Sequence, residues 1–106
     1  MKPFLVPMTF LALVAAAGGA QAQFAGEPLK GREFAHQICT ECHAVEKGAP
    51  RSPNGLAPTF EMIATTPGMT ELALTAALRT SHRVMPNIIL ADDELRNIIA
   101  YILSLR

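Results

Sequence analysis

Cys39-Thr40-Glu41-Cys42-His43 is the stretch on which the reading of this chain turns. Two thiols separated by two residues sit about one helical turn apart, and a histidine follows the second directly. That order matches the attachment pattern of a c-type haem. Two cysteines form thioethers along one porphyrin edge, and the next residue offers an imidazole to the iron from the same side. Two other chemistries use such a pair. Zinc would need a fourth ligand, which His36 or His82 could supply, but zinc knuckles commonly come in twos and no second cysteine pair exists. A thioredoxin-like dithiol would need a βαβ setting. A structural disulfide between residues three apart would close a tiny loop and restrain the unfolded chain little.

The start of the chain bears on this choice. Met1 and Lys2 give a positive beginning, Phe4 to Ala17 is almost wholly apolar, and Gly18-Gly19-Ala20-Gln21-Ala22 ends in Ala-x-Ala. This is the three-part pattern of a secretory signal peptide, with cleavage expected after Ala22. The alternative is an uncleaved anchor, but the apolar run is shorter than the roughly 20 residues a span needs, and Pro7 interrupts it. Residues 1–22 are therefore expected to be removed, leaving a single domain over 23–106 in the bacterial periplasm. The full chain has nine basic and nine acidic residues, and losing Lys2 leaves one excess negative charge. Nucleic-acid binders carry a clustered basic excess, which this chain lacks. A domain this small buries a limited core, so a covalently held apolar cofactor would add needed interior surface.

Apolar periodicity predicts an all-α domain. Gln23 to Pro28 reads as a loose leader, after which Gly31, Phe34, Ala35 and Ile38 fall on one helical face. Gly31 on that face costs about 1 kcal/mol against alanine, a cost explained if another helix crosses there. Residues 46–58 are punctuated by Gly48, Pro50, Pro53, Asn54, Gly55 and Pro58, and read as loop. Thr59 to Thr65 forms a short helix with Phe60 and Ile63 inward, and Met62 fills a gap in the core. Thr70 caps a further helix through Arg79, with Leu74, Ala77 and Leu78 on its apolar face. A loop from Ser81 to Leu90 follows. In the last helix Leu95, Ile98, Ile99, Ile102 and Leu105 recur at helical spacing, with Tyr101 widening the stripe. Asp92, Asp93 and Glu94 suit its positive end, and Asp92 rather than Ala91 is the expected cap.

A second iron ligand must come from a loop that can reach the opposite ring face. Met62, Met69, Met85, His36 and His82 are the candidates. Met85 is favoured, because Pro86 biases it towards extended backbone and methionine–histidine ligation is a known haem arrangement. His82, three residues away in the same loop, is its rival.

The chain after Ala22 resembles the class I cytochromes c, small monohaem proteins. The resemblance rests on Gly31-x-x-Phe34-Ala35 leading into Cys39-x-x-Cys42-His43, on Ala57-Pro58-Thr59-Phe60, on Met85-Pro86 and on Ile98-x-x-Tyr101. It implies a small cytochrome c fold, three to four helices packed around one covalent haem c. Cys39 and Cys42 would form the thioethers, His43 and Met85 would ligate iron, and the Pro58 carbonyl would accept the His43 N–H. It also implies that Gly31 and Phe34 meet Tyr101. Two features depart from the family: Ala57-Pro58 stands where Gly-Pro is common, and there is no tryptophan to bond a haem propionate. Tyr101, Arg51, Asn54 or Arg79 would have to serve.

The implied function is that of a soluble monomeric electron carrier, not an enzyme, passing single electrons between periplasmic redox partners through weak, transient contacts. The alternatives are a ligand-binding or catalytic haem protein, or the dedicated haem subunit of a dehydrogenase. Lys47, Arg51, Arg79 and Arg83 flank the haem-binding loops and suggest a basic docking rim, against which stands a scattered, solvated surface.

Overall fold

Four helices, and no strand, make up the residues that the computed structural model describes, 1–4, 25–80 and 84–106. The fold is all-α, as the periodicity predicts. The expected cleavage site after Ala22, the rival ligand His82 and the rim residue Arg83 lie outside the described residues. No helix among the described residues is long and apolar enough to cross a membrane.

Helix α1 runs from Pro28 to Ile38. Proline suits a first position, where its fixed φ is already helical and its missing N–H has no partner to lose. Helix α4, Asp92–Leu103, is the element on which the others pack: α1, α2 (Phe60–Thr65) and α3 (Glu71–Arg79) all contact it. Its stripe of Leu95, Ile98, Ile99, Tyr101 and Ile102 is buried, and Leu105 continues it past the helix end.

The crossing of α1 and α4 depends on Gly31. A Cβ built there would overlap the Asn97 carbonyl oxygen and lie 2.9 Å from the Tyr101 Cβ. The expected close approach is therefore present, and its partner is the α4 backbone itself. Gly26 makes a second such approach, because a Cβ there would run into the Arg96 carbonyl. The Glu27 N–H also donates to Asn97 Oδ1 at 2.8 Å. Residues 26–27 are thus not a loose leader. They lie across α4, and the absence of a side chain at 26 lets them do so.

Thr70 caps α3 as predicted, and Thr59, expected as the first residue of α2, is its cap instead. Thr59 Oγ1 accepts from the Met62 N–H and Thr70 Oγ1 from the Ala73 N–H, each at 3.1 Å. Met62 is 58% exposed and does not fill the core. On α2, Phe60 and Ala64 take the buried face with Ile63 beside them, and a residue two on from Phe60 points away. The start of α4 also differs from expectation. Ala91 is the N-cap, and its N–H is satisfied by Glu94 Oε2 at 2.9 Å. Asp92 instead pairs with Arg79 at 2.7 Å, joining the end of α3 to the start of α4.

Tyr101 meets Gly31 as the resemblance implies, Phe34 packs against the core cluster that holds Tyr101, and the Phe60 ring is set against the Tyr101 ring with centroids 6.3 Å apart. Its hydroxyl donates to the Val45 carbonyl at 2.6 Å inside the core. That bond fixes the segment following His43 onto α4.

Candidate functional site

Residues 39–43 continue the turn that ends α1. The Cys39 carbonyl accepts from the Cys42 N–H at 3.2 Å and from the His43 N–H at 2.9 Å, so the pair is held at helical-turn spacing. Thr40 Oγ1 closes the turn by donating to the His36 carbonyl at 2.8 Å. Both thiols are free and half-buried. Burial pushes the Cys39 thiol up to about 11, which keeps it protonated at neutral pH. Thiols that serve in exchange or ligate metal show the opposite shift.

His43 is oriented by its own surroundings. Nδ1 lies 2.6 Å from the Pro58 carbonyl oxygen, which can only accept, so Nδ1 carries the proton. In the neutral ring the lone pair is then on Nε2, the nitrogen available to a metal, and the carbonyl raises its basicity. The Phe60 ring sits against the imidazole with centroids 5.5 Å apart and the planes tilted by 54°. Pro58 is placed by its neighbours: Thr59 caps α2, and the Phe60 N–H donates to the Ala44 carbonyl at 2.9 Å. On the same side Ser52 Oγ accepts the Ala44 N–H at 3.0 Å, a bond no sequence pattern announces.

Cys39, Cys42, His43, Pro58 and Met85 all line one cavity of about 370 Å³. Phe34 and Ile38 of α1 and Ile98 and Ile102 of α4 supply its helical walls. Asn54, Leu56, Ala57, Pro58, Phe60 and Ile63 form a second side, and Val84, Met85 and Pro86 close a third. Met85 is half-buried there. Among the described lining residues Glu41 is the one formal charge. Met69 also lines the cavity, whereas Met62 does not. His36 lies outside it, with Nε2 2.5 Å from Glu46 Oε1, an oxygen that also accepts from Arg32 Nε at 2.7 Å.

Of the residues suggested for a basic rim around this cavity, Lys47, Arg51 and Arg79 are among the described residues and Arg83 is not. None of Lys47, Arg51 and Arg79 lines it. Arg79 is committed to Asp92, and Lys47 Nζ reaches the Arg106 carbonyl at 3.5 Å. Of the residues offered for a propionate, Asn54 alone is in the lining.

The donor set suits a flat, apolar macrocycle. Two thiols lie on one wall beside an imidazole whose Nε2 is unshared, a thioether comes from the 84–86 segment, and carbon surrounds them. Among the described residues no three His, Cys, Asp or Glu side chains group as a metal site; His82, one of the two candidates for a fourth zinc ligand, lies outside them. No protein-family model, curated protein or solved structure matches this chain.

Proposed function

We propose that this chain is a monohaem c-type cytochrome that carries single electrons, with His43 and Met85 as the iron ligands and Cys39 and Cys42 as the thioether anchors. The observation that carries the reading is the His43 imidazole, set by Pro58, in one apolar cavity with both cysteines and Met85. When bound, haem c supplies an iron that gains and loses one electron. The chain's own residues set the conditions for that exchange. Pro58 holds the His43 proton on Nδ1 and so keeps Nε2 a good ligand. A methionine thioether and an apolar surround both favour the less charged ferrous state over what two histidines would give. His43 and Met85 would both hold the iron and leave a substrate no place on it, which is the reading of a carrier and not of an enzyme. The export pattern over residues 1–22 puts its donors and acceptors in the periplasm.

The test is an absorption spectrum of the exported full chain, wild type against Met85→Ala and Met69→Ala. The wild type is expected to carry covalent haem with a weak far-red sulfur-to-iron band, lost on Met85→Ala and kept on Met69→Ala. A wild type without covalent haem sinks the proposal. Tight carbon monoxide binding by the native ferrous protein at neutral pH would show instead that the 84–86 segment opens the iron, as in a ligand-binding or catalytic haem protein.

A further inference from the structure

Haem is apolar except at its two carboxylates, which lose water on entering a protein and need donors in its place. Among the described lining residues only three side chains carry nitrogen or oxygen: Glu41, His43 and Asn54. Glu41 is an acid and repels another carboxylate. His43 has its N–H spent on Pro58. Asn54 is left as the one side-chain donor in that lining.

Its geometry suits the task. The Asn54 N–H donates to the Cys42 carbonyl at 3.1 Å, and its own carbonyl accepts from the Ala57 N–H at 3.0 Å. Oδ1 accepts from the Leu56 N–H at 2.9 Å, in the manner of an Asx turn. An oxygen must stand where that N–H points, so the amide orientation is settled, and Nδ2 makes no hydrogen bond among the described residues, which leaves its hydrogens for a ligand. The backbone bond to Cys42 holds this donor in register with the attachment motif. The other candidates are spent or outside the lining: the Tyr101 hydroxyl is on Val45, Arg79 is on Asp92, and Arg51, exposed like Asn54, does not line the cavity.

We infer that Asn54 is the positioning residue for a haem carboxylate, held through Nδ2 at the mouth of the cavity, and this rests on the haem reading above. Losing the donor removes a stabilisation of the ionised carboxylate, so that group ionises at higher pH. Ionisation next to the iron favours the oxidised state, so the potential falls with pH across that transition.

The experiment measures midpoint potential against pH for the exported full chain and three variants. Asn54→Asp keeps an oxygen for the Leu56 N–H but replaces the donor with a second oxygen, and Asn54→Ala removes both without adding charge. Arg51→Ala is the comparison. Both Asn54 variants should still carry haem, with the pH of the transition moved upward and further for Asp than for Ala. Arg51→Ala should leave it in place. A transition unmoved in both haem-loaded Asn54 variants, or moved by Arg51→Ala alone, overturns the assignment and leaves the haem reading standing. A wild-type chain without covalent haem removes the reading beneath it.

Discussion

Replacing Gly31 with alanine gives the sharpest test of the packing. In an exposed helix the change would stabilise by about 1 kcal/mol through propensity alone. At the crossing the new methyl has no room, because it would overlap the Asn97 carbonyl and press on the Tyr101 Cβ at 2.9 Å. The first obstacle is backbone, which cannot rotate aside, so α1 and α4 must part. Overpacking of this kind costs roughly 1–3 kcal/mol, and a backbone obstacle belongs at the upper end. Set against the propensity gain, the net loss is about 2 kcal/mol. For a domain of this size, at about 4–8 °C per kcal/mol, the melting temperature should fall by roughly 10 °C. Far-UV circular dichroism melts of the exported protein measure it. Gly55→Ala is the control, since a Cβ there meets nothing within 4 Å and the backbone is not left-handed. It should melt at or slightly above the wild type. A Gly31→Ala protein as stable as the wild type would refute the close crossing.

Other consequences are open to measurement. Tyr101→Phe removes the donor to the buried Val45 carbonyl and should cost about 1–3 kcal/mol, read as a lower urea midpoint; an unchanged midpoint would mean the bond is not made. His36 and then Arg32, both bonded to Oε1, hold the Glu46 carboxyl below its ordinary range. A depressed carboxylate stabilises the fold above its unfolded pKa and loses that contribution as pH falls through the folded value. Glu46→Gln should therefore flatten the acid side of the stability profile below about pH 4, by a small amount for such exposed groups. In haem-free chain, alkylation at Cys39 should keep rising past about pH 10, since burial holds the thiol near 11, whereas a plateau by about pH 9 would show the side chain to be solvated.

The parts of the fold that were legible in sequence are those fixed within a few residues of themselves. The stripe from Leu95 to Leu105 and the Thr70 cap are local patterns, and the chain forms them where they are written. Gly31 was legible because a glycine on an apolar face asks for a neighbour. Gly26 was not, since its reason is a carbonyl on α4, far along the chain. Met62 was misplaced because a six-residue helix has room for few inward positions, and Phe60, Ile63 and Ala64 take them. Asp92 looked like a cap until Arg79 stood opposite it and Glu94 reached back to Ala91. At the candidate site, Cys39, Cys42 and His43 are contiguous and could be read together. The contact of His43 with Pro58 came from resemblance, and spacing does not imply it. The Arg32–Glu46–His36 group is not legible in sequence, because it joins segments that sequence alone does not bring together.

The seating of Gly26 and Glu27 on α4 has a consequence for how the chain folds. The Glu27–Asn97 bond joins positions 70 residues apart, and closing a loop of that length costs on the order of 4 kcal/mol in chain entropy beyond a constant. Nothing nearer in sequence can stand in for α4, because α1, α2 and α3 all find their packing partner on it. The core must therefore close late, after α4 has been made and brought back to α1. Until then Cys39, Cys42 and His43 sit on an open chain, within reach of whatever modifies them, and the return of α4 leaves them half-buried.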